Sequence, residues 1–218
     1  MKYIGRIGLL ILAFLNWILI IIHSYQFLGK VDNIYMICAL ANIVLGWFLG
    51  KHYDIAILYY EKDYLTQEYT QRYGLKTLSS LLAKMEQKNK ELSLFVVDVD
   101  KFKQINDTFG HDKGDKVLKC IATLLENCTR KTDFVTRWGG DEFLIVAPDM
   151  DINDSFTFFN RIENQIQEVS MILNLEITLS IGVSNYPDDA INIDELIRIA
   201  DKNMYLAKFK KSFHQNHI

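Results

Sequence analysis

The heptapeptide RWGGDEF at residues 137–143 places Asp141 and Glu142 directly after Gly139 and Gly140 and directly before an apolar run. Adjacent carboxylates are hard oxygen donors for a divalent cation, and a carboxylate with a tuned pKa is a proton acceptor. A Gly-Gly pair reads as a tight turn, because glycine takes positive φ without steric cost. FVTRW (134–138) and FLIVA (143–147) read as strands on either side, so a β-hairpin with acids at its tip is predicted. Taken alone, that tip is equally well a solvated acidic turn.

A second set of acids ends the apolar run LSLFVVDVD (92–100). Residues two apart in a strand share a face, so Asp98 and Asp100 point the same way where a buried strand meets solvent. Magnesium typically takes one or two protein carboxylates plus substrate phosphates, and a strand-end Asp opposite an acidic hairpin tip suits it. Asp100 reads instead as a helix N-cap. In KFKQINDTFGHDKGD (101–115), Lys101 and Lys103 flank Phe102 in a turn whose backbone N–H groups would face an anion. Asn106 can donate hydrogen bonds and Asp115 can only accept them, a complementary pair. His111, between Gly110 and Gly114, reads as a structural hydrogen-bonder at a loop and helix start.

The elements that must position these groups alternate along the chain. A helical pattern spans residues 76–90, with Leu78, Leu81, Leu82 and Met85 on one face. The strand 92–100, an amphipathic helix at 115–129, the hairpin, a helix at 155–173, a strand at 176–186 and a closing helix follow. This order predicts an α/β fold of the α+β sandwich kind, with one mostly antiparallel sheet flanked by helices. No glycine or proline interrupts residues 51–73, so a continuous helix is predicted there.

Half of the 218 residues are hydrophobic, and the excess sits near the N-terminus. Residues 4–22 and 34–50 are each apolar enough to cross a bilayer, giving a two-span hairpin. Lys2 and Arg6 precede the first span, Lys51, His52 and Lys62 follow the second, and Lys30 is offset by Asp32 between them. Positive charge on the inner side puts both termini in the cytoplasm of a two-pass protein of the cell membrane. The net charge of −3 gives no nucleic-acid-binding surface. Cys38, Cys120 and Cys128 have no metal or redox spacing. The organisation read from this is a transmembrane hairpin at 1–50, a helical connector at 51–75 and a catalytic domain at 76–218.

DVDKFKQINDTFGHDKGD (98–115), RWGGDEF, SIGVS and ADKNMYLAK, in this order, resemble the GGDEF-domain diguanylate cyclases. The resemblance implies a cyclase/palm-like sheet and condensation of two GTP into cyclic di-GMP with release of two pyrophosphates. It implies that Asp98, the Val99 carbonyl and Asp141 hold Mg2+ (or Mn2+), with Glu142 helping to bind a second ion, and that Asp141, the usual candidate, or Glu142 is the base that activates the 3′-hydroxyl. Asn106 and Asp115 would bind guanine, with Phe102, Lys103 and Lys208 also lining the substrate site. Arg130 and Asp133 of RKTD fall at the family's inhibitory product site, where Arg grips phosphate or guanine and Asp accepts from guanine N–H groups. One GTP per domain implies a homodimer. Residues 63–73, DYLTQEYTQRY, keep Asp63, Leu65, Thr66 and Arg72 of a family motif but lack its Gly and Asn. Lys211 and Ser212 replace a usual Gly-Arg, so a triphosphate contact is lost or supplied by Lys210 or Lys211. An alternative is a weak or inactive GTP or cyclic di-GMP receptor signalling through its membrane helices.

Overall fold

A computed structural model describes residues 3–29 and 33–215. The charges assigned to Lys2, Lys30 and Asp32 lie outside the described residues. The chain divides into two compact units, residues 1–60 and 61–218.

The first unit holds helix α1 (Ile4–Leu28) and most of helix α2 (Asn33–Glu61). Both carry apolar windows long enough to cross a membrane. Their apolar side chains point outward: Leu12, Leu19, Ile37 and Leu40 are each more than 60% exposed. Contact between the helices runs through glycine. A Cβ on Gly50 would lie 2.5 Å from the Cα of Arg6, and one on Gly46 would lie 3.3 Å from the Leu9 carbonyl oxygen. Close backbone approach through small residues is how apolar helices pack where no hydrophobic force drives them together. Buried Asp54 accepts from the Gly5 N–H (2.7 Å) and from Arg6 Nε (3.0 Å), satisfying one of the unpaired donors at the start of α1.

The second unit is built on a five-stranded sheet in the order β1-β3-β4-β2-β5, with β1 (Tyr69–Thr70), β2 (Leu92–Val99), β3 (Phe134–Arg137), β4 (Glu142–Pro148) and β5 (Leu179–Tyr186). Only β1–β3 is parallel. Central β2 is buried along its whole length, and its alternate side chains feed two cores. Phe95, Val97 and Val99 pack with Ile121 and Leu125 of α5 (His111–Cys128) and with Phe158 and Ile162 of α6 (Ile152–Leu173). On the opposite face Leu92, Leu94 and Val96 pack with Leu78 and Met85 of α3 (Gln71–Lys88) and with Leu196, Ala200 and Met204 of α7 (Ile193–Gln215). Burial on both faces explains why β2 reads as a continuous apolar run.

Strand β5 is an edge whose outward carbonyls α7 covers. Asn203 Nδ2 donates to the Val183 carbonyl (2.9 Å) and Lys211 Nζ to that of Leu179 (2.5 Å). Such covering blocks edge-to-edge pairing. α7 lies so close that a Cβ on Gly182 would meet the Ala200 carbonyl oxygen at 2.0 Å.

Three local expectations are corrected. The helix expected to run through residues 51–73 stops at Glu61. Asp63 Oδ1 accepts from the N–H groups of Leu65 and Thr66 and from Thr66 Oγ1, and these local bonds compete with helical ones. Thr70 then caps α3 by accepting from the Tyr73 N–H. The segment after Asp100 is helix α4 (Phe102–Phe109) rather than a turn and loop. Asp100 caps nothing: α4 begins after Lys101, and the Asp100 carboxylate accepts from Thr178 Oγ1 (2.7 Å) and Ser180 Oγ (2.6 Å).

Candidate functional site

β2 and β4 bring two acids face to face, because Asp98 stands directly opposite Glu142 in their ladder. The pairing runs on past the strand, where the Val99 N–H donates to the Asp141 carbonyl at 3.2 Å. The turn at residues 138–141 is thereby tied to the end of β2. Within it the N–H groups of Trp138 and Gly139 both donate to the Glu142 carbonyl (2.8 and 3.2 Å). The hairpin forms as expected, but not for the expected reason: neither Gly139 nor Gly140 adopts the left-handed φ. A Cβ on Gly139 would lie 2.9 Å from Glu142 Oε2, the mobile end of that side chain, and nothing lies within 4 Å of one on Gly140.

Arg137 holds this turn from outside. Its Nη2 donates to the Gly140 carbonyl (2.8 Å) and its Nη1 to Asp63 Oδ1 (2.9 Å). Burial works against the Asp63 charge, but the bonds from Thr66 and Arg137 outweigh it and keep the carboxyl below its usual range. The heptapeptide contains Arg137, yet its type and position gave no sign of a bond to a residue 74 positions earlier.

Asp98 is buried and accepts from Lys208 Nζ at 2.6 Å. Burial raises its pKa, Lys208 opposes this, and Asp141 and Asp100 add to the rise. Burial likewise raises Glu142, and the charges of Asp98, Asp141 and Asp201 reinforce it. Asp201, on α7, belongs to this electrostatic group and was not singled out from its residue type; the ADKNMYLAK run was its only signal. Lys208 loses by burial but gains more from Asp98, and its ammonium is held above its usual range. Lys211 turns elsewhere, to the Leu179 carbonyl and to Asp100 and Glu163, both at 3.8 Å. Among the described residues no three His, Cys, Asp or Glu groups converge into a metal-holding cluster.

α4 presents Asn106, whose Oδ1 is buried with no hydrogen-bond partner. Gly114 makes the room: a Cβ there would lie 1.9 Å from that oxygen and 3.2 Å from Phe102 Cζ. Asn106 therefore abuts the first turn of α5 beside exposed Asp115, while Phe102 packs against the core and Lys103 is exposed. Arg130 and Asp133 lie at the other end of β3 from the turn. Their segment closes on itself, with the Arg130 N–H on Asp133 Oδ2 (2.8 Å), while the Arg130 guanidinium reaches Asp154 Oδ2 (3.2 Å).

The family model described as diguanylate cyclase, GGDEF domain, matches residues 61–213. Diguanylate cyclase DgcM of Escherichia coli K12 is 40% identical over 118 residues, which cover 54% of this chain and 28% of that protein. Diguanylate cyclase A of Treponema denticola is 35% identical over 125 residues, 56% of this chain and 34% of that one. The chain thus spans about a third or less of either relative. Its fold is similar to that of the crystallised coiled coil and GGDEF domain of DgcB from Caulobacter crescentus in complex with c-di-GMP, with a TM-score of 0.72 at 24% identity over 82% of this chain and 96% of that one. Over residues 61–213 the chain belongs to the GGDEF-domain diguanylate cyclase family.

Proposed function

We propose that the protein condenses two GTP into cyclic di-GMP and two pyrophosphates, held at the cell membrane by α1 and α2 with its catalytic unit in the cytoplasm. The observation that carries this is the pairing of Asp98 with Glu142 across the β2–β4 ladder, with the Asp141 carbonyl tied to Val99. These hard oxygen donors repel one another, and a lysine ammonium already sits among them, so the set is chemically suited to a hard divalent cation. Asp98, the Val99 carbonyl, Asp141 and Glu142 would hold Mg2+ or Mn2+. When bound, that ion would lower the pKa of the 3′-hydroxyl and offset charge on the departing pyrophosphate.

The chain's own residues do the rest. Asp141 takes the proton from the 3′-hydroxyl of one GTP; the 3′-oxygen bonds to the α-phosphorus of the other, and the bond to pyrophosphate breaks. A second such exchange closes the ring. The partnerless Asn106 Oδ1 is an acceptor for a guanine N–H, with Asp115 beside it as another and Phe102 and Lys103 one turn earlier on α4. Lys208 meets the triphosphate. Each domain holds one GTP, so two copies must face each other. The relatives and the DgcB complex support this choice of nucleotide and product.

Arg130 and Asp133 bind the product and inhibit turnover; exposed Arg130 beside half-buried Asp133, just before the β3 start, supports this. The exposed apolar faces of α1 and α2 support membrane anchoring. The receptor reading rests on one observation, that Lys208 and Lys211 are both engaged by protein groups. Incubation of the full chain with GTP and Mg2+ separates the two. Cyclic di-GMP from the parent and none from Asp141→Ala establishes the cyclase; nucleotide binding without product establishes the receptor.

A further inference from the structure

We propose that Lys208 is the resident counter-ion of Asp98 and a rival of the divalent cation, so that it couples cation binding to nucleotide binding. This rests on the metal–nucleotide reading above and goes beyond it, because it gives Lys208 a role toward the cation rather than the triphosphate alone. Lys208 Nζ lies 2.6 Å from Asp98 Oδ1, with the carboxylate side chain 7% exposed and the lysine side chain 42% exposed. The lysine reaches in from solvent to a buried acid, and its free length lets it swing out again without disturbing the core.

An oxygen that accepts an ammonium at this distance does not offer the same lone pair to a metal ion. If the ion takes the other oxygen of Asp98, two positive centres stand a few ångströms apart in a partly buried site and repel. Either way the two cations compete. The charges facing Lys208 are Asp98 on β2, Asp100 just past its end, Asp141 in the turn and Glu142 on β4. Lys211, the next lysine along the same helix face, is tied to Leu179, Asp100 and Glu163. It therefore does not stand in for Lys208 at Asp98.

A bound triphosphate changes the balance, because it offers the displaced ammonium a new anionic partner. Cation binding without nucleotide costs a salt bridge to a buried acid; with nucleotide that loss is offset. The coupling is reciprocal, as linkage requires.

The test measures Mn2+ binding to the full chain in nanodiscs by electron paramagnetic resonance, without nucleotide and then with a non-hydrolysable GTP analogue. Lys208→Met should bind nucleotide-free Mn2+ about tenfold more tightly than the parent, within the usual range of couplings between sites. Lys208→Gln should follow it, Lys208→Arg should keep the weak parental affinity, and Asp98→Asn should abolish the binding. Parental affinity in both Lys208→Met and Lys208→Gln, with Asp98-dependent binding intact, would overturn the proposal while leaving the metal site standing. No Mn2+ bound by any form, even with the analogue, would overturn the metal reading itself and this proposal with it.

Discussion

Asn106 carries a side-chain oxygen cut off from water and left without a partner inside the protein, a state that ordinarily costs about 1–3 kcal/mol. Gly114 keeps the space in which this strain sits. A ligand N–H that meets the oxygen recovers that energy, so Asn106→Ala should raise KM for GTP about tenfold or more and blunt the preference for GTP over ATP. Steady-state kinetics with both nucleotides checks it. Glu68, 5% exposed in the segment before β1, poses a separate case. Burial pushes its carboxyl up to about 7, against the pull of Lys62 and with a push from Glu126. A folded pKa above the ordinary value of 4.5 means the folded chain holds the proton more tightly. Stability therefore falls as pH rises between those two values and levels off above. Glu68→Gln should match the parent near pH 4 and exceed it by roughly 2–3 kcal/mol at pH 8, in denaturant unfolding at each pH.

At the scale of elements, Arg137 ends β3 and clamps two segments, the turn that carries Asp141 through Gly140 and the stretch after α2 through Asp63. Removing the guanidinium frees the turn that carries Asp141 while leaving the sheet paired. Arg137→Ala should lower kcat at least tenfold with a smaller change in KM, since small misplacements of a reacting group are costly. Equal losses in Tm and activity would point instead to simple unfolding. Neither this clamp nor the Asp100 bonds to Thr178 and Ser180 could be read from the chain, because they join residues 74 to 80 positions apart and leave no local pattern. Helix α4 is only eight residues, two turns between Asp100 and Gly110, so the i, i+3, i+7 spacing of Phe102, Ile105 and Phe109 is too short to stand out from a turn. The break after Glu61 has neither Gly nor Pro and is made by side-chain bonds to Asp63. What was legible had a period or a sharp boundary: the doubly buried β2, the stripe of α5 and the hairpin with Asp141 and Glu142 at its tip. Asp98 was legible for the same reason, as an acid ending an apolar strand. The turn forms without the left-handed φ that its Gly-Gly pair suggests.

At the scale of the whole molecule, each proposed ring closure needs two nucleotides, one per domain, so a lone chain has half a reaction site. The outward-facing apolar surfaces of α1 and α2 would confine copies to a bilayer, where tethering turns encounter between domains into a local event with a raised effective concentration. Nanodiscs sorted by occupancy isolate this requirement, because the protein, lipid and nucleotide stay the same and only the copy number changes. Discs holding two chains should release cyclic di-GMP and pyrophosphate in a ratio of one to two, and discs holding one chain should bind GTP without releasing either. Mixing parent with Asp141→Ala in two-copy discs sharpens the argument. In the proposed reaction each of the two bond-forming events uses the Asp141 of a different domain, so a mixed pair should make the linear dinucleotide and stop. Cyclic product from single-copy discs would remove the need for a facing partner, and cyclic product from mixed pairs at the parental rate would show that one Asp141 serves both bond-forming events.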